Sequence, residues 1–543
     1  MANGMIRVPP PRNEPILSYG PGTPEKAELK AELDRMLSEH IEIPLIIGGK
    51  EVRSGKTAEA VCPFDHGHVL ATYHQAGEAE VKLAVEASQK AWAEWSEMPW
   101  EHRAAIFLKA AELMAGPRRA AVNASTMLNQ AKTVHQAEID AACELIDFYR
   151  FNPHYMQEIY GQQPDSAPGI WDYAEYRALE GFIFAVTPFN FTSIAGNLPT
   201  APAMMGNTVL WKPASSAVFS GYQIMKILEE AGVPAGVINF IPGRGGAVGN
   251  PVLASSEFAG VHFTGSTPVF QGMWKTIGEN IARYKSYPRI VGETGGKDFV
   301  FAHVSAEIES LVTALVRGAF EYQGQKCSAA SRAYIPSSIW SEVKDGLLGQ
   351  VGEIKMGSVT DFRNFFSAVI DQSAFNDHKG YIEYAKSCPN CEIIAGGGYD
   401  DSEGYYIEPT VVVTTDPRCK MMEEEIFGPV LTVYVYEDSK LDEALELCDT
   451  TSPYALTGAI FAQDRAAIVH MSSRLRHAAG NYYINDKPTG AVVSQQPFGG
   501  GRASGTNDKA GSYLNLVRWA SMRSIKETFV PPTHFAYPYM DEE

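Results

Sequence analysis

Residues 181–213 read GFIFAVTPFNFTSIAGNLPTAPAMMGNTVLWKP. The apolar run from Phe182 to Val186 has the length of a buried strand, and a second run, Thr208 to Trp211, closes the segment. Beyond it Val218, Tyr222, Met225 and Leu228 recur at helical spacing, followed by apolar runs at 237–241 and 260–263. Strand-length runs alternating with helical segments predict parallel βαβ units. Ligands of such sheets sit beyond the carboxyl ends of the strands, so chemistry is expected at 187–192, 212–213, 242–249 and 264–267.

The pattern extends outward in both directions. Towards the amino end, Val81, Ala84, Val85, Trp92 and Trp95, and then Ile106, Phe107, Ala110 and Leu113, mark two core-facing helices. Residues 1–40 are rich in proline and charge and predict an arm laid over a larger body. Towards the carboxyl end, a second half opens after Gly295-Gly296. Its helix carries Ile308, Leu311, Val312, Leu315, Val316, Ala319 and Phe320 on one stripe, and strand-like runs at 411–413 and 431–436 predict a second α/β lobe.

With 543 residues the chain exceeds the roughly 250–300 residues at which one core stops growing, so two or three lobes with a cleft between them are expected. The composition is that of a globular protein, at 45% hydrophobic and 20% charged, and no apolar run reaches the roughly 20 residues that span a bilayer. A net charge of −19 without a local basic cluster argues against nucleic acid and leaves a small molecule as the partner. Seven cysteines without framework spacing read as free thiols in a reducing compartment. The first residues lack signal or transit character, which predicts a cytoplasmic protein, or a mitochondrial-matrix one if the chain is a processed eukaryotic product.

Within this frame Cys327, in Gln323-Gly-Gln-Lys-Cys327, is the candidate nucleophile. Gly324 frees the backbone, Lys326 brings a positive charge, and a helical turn opening at Ser328 is expected to lower the thiol pKa. A thiolate makes an aldehyde carbon tetrahedral, and after hydride loss the resulting thioester is open to hydrolysis. That hydrolysis needs a base, and Glu293 in Gly292-Glu-Thr-Gly-Gly-Lys297 is the candidate. Asn190 follows a strand at the ligand edge, and its amide can donate to an oxyanion. Taken singly, each residue has a plainer reading: a buried structural cysteine, a turn carboxylate, an asparagine closing a turn.

Together these strings resemble the aldehyde dehydrogenase superfamily. The carriers are Thr187-Pro-Phe-Asn190, Gly206-Asn-Thr-Val-Leu-Trp-Lys-Pro213, Phe263-Thr-Gly-Ser266, Gly292-Glu-Thr-Gly-Gly-Lys297, Gly324-Gln-Lys-Cys327 and Glu425-Ile-Phe-Gly-Pro429, in family order. The resemblance implies an α/β fold with a Rossmann-like cofactor domain (41–165 and 181–295), an α/β catalytic domain (296–510) and a small β oligomerisation flap (166–180 and 511–543), after the arm at 1–40. It implies NAD as cofactor, with Cys327 as nucleophile, Glu293 as base and Asn190 in the oxyanion hole. Thr187, Lys212, Ser215, Gly265, Ser266, Glu425 and Phe427 are the implied cofactor contacts. Ser215 stands where NAD-preferring relatives often carry Glu and would not repel a 2′-phosphate. The run Gly243-Arg-Gly-Gly-Ala-Val-Gly249 departs from G-x-G-x-x-G at Val248, so the phosphate site is expected at Gly265-Ser266.

A finer resemblance is to the branch acting on glutamate γ-semialdehyde, the open form of Δ1-pyrroline-5-carboxylate. It rests on His135-Gln-Ala-Glu-Ile-Asp140, Glu144-Leu-Ile-Asp-Phe-Tyr-Arg-Phe-Asn152, Tyr483-Ile-Asn-Asp486 and Gln495-Gln-Pro-Phe-Gly-Gly500 with Arg502-Ala-Ser-Gly-Thr-Asn-Asp508. A carboxylated aldehyde needs donors at the far end of its pocket and apolar walls along its methylenes. The amides of Gly490 and Ala491 with the Ser328 hydroxyl suit the first need, Phe191 and Phe498 the second, with Lys326 beside them. Another semialdehyde and a catalytically silent member of the fold stay open as alternatives. Cys388-Pro-Asn-Cys391 has no second pair at zinc spacing, and no metal is expected. The segments 170–177 and 519–543 predict a homodimer or larger homo-oligomer.

Overall fold

In the computed structural model, which describes residues 4–541, Phe182–Val186 is the centre of five parallel strands. Thr208–Lys212 and Ile238–Phe240 lie to one side, Phe258–Thr264 and Arg289–Glu293 to the other. Two short antiparallel strands, Leu45–Ile47 and Lys50–Val52, extend the edge beyond Ile238–Phe240. The chain builds outward from Phe182–Val186 in one direction and then returns to its other side. The carboxyl ends of Phe182–Val186 and Phe258–Thr264 therefore diverge into the crevice where such sheets bind ligands.

The central strand is apolar throughout because both of its faces are covered. Phe182 and Phe184 pack with Val81 and Ala84 of helix Glu78–Trp95, Val248 and Val252 of Gly245–Ala254, and Phe270 of Thr267–Asn280. The alternate residues Ile183 and Ala185 face Phe107, Met156, Leu198 and Leu228, from four other helices.

A second seven-stranded sheet repeats this logic. Its order is Cys391–Ala395, Thr410–Thr414, Val430–Tyr436, Arg332–Pro336, Phe299–Ala302, Thr457–Phe461, Asn481–Ile484, parallel except at the Cys391–Ala395 edge. Val300 and Ile335 pack under helices Ile308–Phe320 and Trp340–Glu353, while Phe301 and Tyr334 share a core with Leu445 and Met471 on the opposite face. Only residues 294–298 separate the last parallel strand of the first sheet from the first strand of the second. The carboxyl edge of one sheet thus meets the amino edge of the other.

Two expectations need correction. The arm contains a helix, Pro24–Ser38, whose Leu29, Leu33 and Met36 are buried against helix Arg119–Gln130. Their i, i+4, i+7 spacing was a legible helical signal. At the carboxyl end, Ile170–Arg177 and Ser521–Thr528 pair antiparallel over eight residues as a projecting ribbon. Residues 511–520, expected with it, instead carry helix Tyr513–Val517 and bury Leu516 and Trp519 in the first core.

Ahead of its helix, the arm is anchored by charge. Arg119, nearly buried, pairs with Glu14 of the arm and with the fully buried Glu138. Glu138 also accepts from the Leu17 amide and the Tyr19 hydroxyl, both at 2.8 Å. Removing one partner of a buried pair strands the other charge, at a cost of about 3–5 kcal/mol. Arg119→Met is expected to lower the thermal unfolding midpoint and to make residues 4–20 the first site of limited proteolysis. An unchanged midpoint and cleavage pattern would contradict this account.

Candidate active site

The loop carrying Cys327 is built against the local preferences of its residues. After helix Ile308–Phe320, Tyr322, Gln323 and Gly324 adopt left-handed conformations with φ of 52°, 55° and 67°. Such strain persists only where packing over-determines it. Here the buried Gln323 side chain donates to the carbonyls of Ala131 (3.0 Å) and Ala368 (2.6 Å). A Cβ at position 324 would collide with the Gly428 carbonyl, so the loop bearing Glu425 and Phe427 presses directly on it. Gln325 takes an N–H from Ile370 on its side chain, and its carbonyl accepts from Asn190 Nδ2 at 3.1 Å. Asn190 is thereby tied to the loop that bears Cys327, and that bond uses one of its two amide N–H groups.

Asn190 is positioned from behind by the segment 132–144. Helix Thr192–Met204 starts two residues after it, and the amides of Thr192 and Ser193 both donate to the Asp140 carboxylate at 2.9 Å. Asp140 pairs with Lys132 at 2.7 Å, both side chains fully buried. The Lys132 ammonium lies 4.1 Å from the centroid of the Phe191 ring. One carboxylate thus satisfies two orphan donors of a helix start, and its counter-ion props the neighbouring aromatic ring.

Cys327 lies where two cavities meet. The larger, about 500 Å³, opens at the switch crevice. Thr187, Lys212, Gly265, Ser266, Glu425 and Phe427 line it, as do Asn190 and Cys327. The smaller, about 240 Å³, is lined by Phe191, Lys326, Ser328, Gly490, Ala491 and Phe498 as well as Cys327. Several contacts shape the larger space. Gly265 donates its N–H to the Glu293 carbonyl at 3.2 Å, fixing the turn before helix Thr267–Asn280. Ser266 is the N-cap of that helix, and its hydroxyl caps nothing. A Cβ at Gly295 would collide with the Glu425 carboxylate, which accepts the Gly296 N–H at 2.8 Å.

Burial governs the electrostatics. It lifts the Cys327 thiol well above its ordinary value, and the charges of Glu293, Asp298 and Glu425 push the same way. It raises Glu293 to about 8 against the opposing pull of Lys509, and Glu425 to about 7. It lowers Lys212 to about 8, with only the Pro213 carbonyl, 3.0 Å away, as partner.

The expected activation of Cys327 needs correction on two points. No helix opens at Ser328, because the chain runs through turns into strand Arg332–Pro336. Lys326 turns away into the smaller cavity and pairs with Glu321 at 3.0 Å. Neither feature lowers the thiol pKa.

This geometry has relatives. The model of the Aldehyde dehydrogenase family matches residues 51–524. The chain belongs to the aldehyde dehydrogenase family. It is 56% identical to the mitochondrial Delta-1-pyrroline-5-carboxylate dehydrogenase of Dictyostelium discoideum, over 98% of this chain and 96% of that one. It is 51% identical to the Danio rerio counterpart, over 97% and 95%. Among solved structures, the Mycobacterium tuberculosis Delta-pyrroline-5-carboxylate dehydrogenase bound with NAD superposes with a TM-score of 0.97, at 52% identity and over the whole of both chains.

In this aldehyde dehydrogenase three expected site residues sit differently from the rest. Ser215 is exposed at the start of a 3-10 turn and lines neither cavity; its neighbour Ala214 does. Glu293, at the end of its strand, borders a third and smaller space with Glu144, Phe498 and Asp508. Ser328 spends its hydroxyl on Thr489 at 2.8 Å. The glycine run at 243–249, which departs from G-x-G-x-x-G, begins helix Gly245–Ala254, and Gly245 lines the larger cavity.

Sequence reasoning missed Asn13, Glu14, His135, Glu144, Lys487 and Thr489 in the wall of the smaller cavity. Lys487 and Thr489 follow a quoted motif directly; the arm residues carry no local signal.

Cys388, half-buried outside this site, differs from Cys327. Partial burial there is outweighed by amide donors at Asn390 and Cys391 and by the Cys391 thiol, so its pKa falls. Alkylation with iodoacetamide at neutral pH without ligand is therefore expected to modify Cys388 before Cys327, as read by peptide mass spectrometry. Faster labelling of Cys327 would show that its thiol is not held neutral.

Proposed function

We propose that this chain oxidises L-glutamate γ-semialdehyde to L-glutamate with reduction of NAD, through a thioester on Cys327. The observation that carries the reading is Cys327 at the junction of a cavity of about 500 Å³ and a small one that sets lysine ammoniums beside carboxyl groups, the Glu144 carboxyl being raised to about 8 by burial. The small cavity presents Lys326 and Lys487 together with Glu144 and Asp147. That mixture suits an aldehyde bearing both a carboxylate and an ammonium, and favours an amino-acid semialdehyde over succinate semialdehyde, which has no cation to offer.

The larger cavity fits a dinucleotide. Its volume, the buried Lys212 without a charged partner, the free Ser266 hydroxyl at a helix start, and the side-chain-free wall at Gly295 against Glu425 are what such a ligand requires. Lys212 and Glu425 would hold ribose hydroxyls, Ser266 and the Gly265 turn the pyrophosphate, with Thr187 and Phe427 along the nicotinamide end. Bound there, NAD supplies the hydride acceptor.

The chain's own residues perform the rest. The Cys327 thiol releases its proton to solvent, its sulfur bonds to the aldehyde carbon, and the carbonyl π pair moves onto oxygen as negative charge. Asn190 Nδ2 and the Cys327 amide donate to that oxygen; one such donor is worth about 2.7–4 kcal/mol. Phe191 and Phe498 pack along the methylenes, and the Gly490 and Ala491 amides receive the carboxylate. Once the carbon has lost its hydride, Glu293 takes a proton from water, the water oxygen attacks the thioester, and the thiolate leaves. We also propose that ribbon Ile170–Arg177/Ser521–Thr528, which exposes Trp171 and Met522, joins copies into a homo-oligomer.

Two measurements test the chemistry. Cys327→Ala is expected to abolish NADH formation from pyrroline carboxylate while NAD still binds by calorimetry; substantial turnover would overturn the nucleophile. Glu293 acts as base only when ionised, and burial has raised it, so the hydrolysis rate is expected to climb as pH rises through about 8. The sign for stability is opposite: the folded state keeps the proton that the unfolded chain releases near 4.5, so this group's contribution falls between about 4.5 and 8. Glu293→Gln is expected to lose at least about 100-fold in kcat, to lose the rise near pH 8, and to accumulate acyl-enzyme visible by intact mass. A retained rise would assign the limb to another group.

A further inference from the structure

The loop that would receive the substrate carboxylate does not hold itself in place. Gly490 sits at φ 97°, and Ser494, a residue with a side chain, at φ 73°. Its internal ties are few: the Val492 amide donates to the Gln496 side chain, and the Gln495 and Gln496 amides to the Val492 carbonyl. From outside it, the Ser494 amide donates to the Gly511 carbonyl and Val493 is buried in the first core, and further support comes from nearly the whole length of the chain away. Asn13 Nδ2 donates to the Val493 carbonyl at 3.0 Å and to Asp147 Oδ2 at 2.8 Å, and Asn13 Oδ1 accepts from Gln495 Nε2 at 3.0 Å. Asp147 belongs to helix Leu145–Tyr160, and its other oxygen accepts the Glu14 amide at 2.7 Å. Asn13 therefore uses both N–H groups and its oxygen to bolt the loop to a core helix. Asn13, Glu14 and Ile16 also line the cavity that this loop closes.

We infer that Asn13 is a positioning residue for substrate recognition: the amino-terminal arm, acting through Asn13, sets the 490–495 loop in the geometry that binds the carboxylate of the aldehyde. The inference rests on the substrate reading above only for the loop's role as carboxylate receiver. Asn13 touches no reacting atom. Its effect falls on the affinity for carboxylate-bearing aldehydes, because the loop lines the small cavity and contributes no residue to the dinucleotide cavity. Aldehydes that never engage the loop escape the effect.

The test compares wild type, Asn13→Ala, Gln495→Ala and the double variant, with glutamate γ-semialdehyde, succinate semialdehyde and propionaldehyde as substrates. For Asn13→Ala we expect KM for the carboxylated aldehydes to rise about 5- to 20-fold, with kcat within about twofold. KM for NAD should be unchanged, and kcat/KM for propionaldehyde, which has no carboxylate for the loop, should fall by no more than about twofold. Gln495→Ala, an exposed side chain, should raise the same KM by a few-fold, and in the double variant its effect should vanish, since it acts through Asn13. Equal losses with propionaldehyde, an unchanged KM, or additive effects of the two substitutions would each overturn the inference. Gln495→Ala keeps the test valid if Asn13→Ala folds poorly. A wild type indifferent between the two semialdehydes would defeat the substrate reading alone, because the arm effect is read on either carboxylate.

Discussion

A lysine and an aspartate sealed from water, Lys132 and Asp140, hold the site together. Their attraction offsets a large desolvation cost only because each has further work for its charge. Asp140 receives the first two amides of helix Thr192–Met204, and Lys132 faces the rings of Phe191 and Tyr322. Through these contacts one ion pair sets the start of the helix behind Asn190, the aromatic wall of the small cavity, and one flank of the strained turn before Cys327. Asp140 lies in a π-helical stretch, Glu138–Glu144, whose altered pitch also brings Glu144 to the small cavity. In the same stretch Glu138 holds the arm.

Close backbone approach is the second constraint. The loops bearing Cys327, Glu425 and Gly295-Gly296 touch at positions where a single Cβ would force them apart: Gly324 against the Gly428 carbonyl, Gly295 against the Glu425 carboxylate, Gly296 against the Cys327 carbonyl. These contacts draw the carboxyl edge of the first sheet and the amino edge of the second close enough for a thiol on one to meet a ligand held by the other. Burial is the leading cause of the pKa shifts of Glu293, Glu425 and Lys212. A thiol neutral at rest and a carboxylate ready near pH 8 follow from this dryness, without help from a helix dipole or a neighbouring lysine.

The parts legible in advance were those whose signal is local. Strands and helices showed in their hydrophobic period, and Cys327, Glu293 and Asn190 stood out as candidates because each lies in a short string whose glycines and turn residues constrain the backbone around it. Where local inference failed, a longer-range contact had prevailed. A helix was expected after Cys327 from Ser-Ala-Ala, yet the chain there runs straight into strand Arg332–Pro336. Lys326 was read as a neighbour of the thiol, and Glu321 captured it. Tyr322 and Gln323 carry no mark of a left-handed backbone, since the packing that stabilises it comes from Ala131 and Ala368.

The division is one of distance along the chain. Period and motif are encoded within a few residues, so the two α/β lobes and the candidate reacting groups could be read from the sequence. Only the tertiary structure decided which groups would be dry, which charges would find partners and how the substrate loop is held. Asn13 with Gln495, Arg119 with Glu138, and Gly324 with Gly428 meet from different parts of the chain, and their energies exist only once water has been excluded from between them.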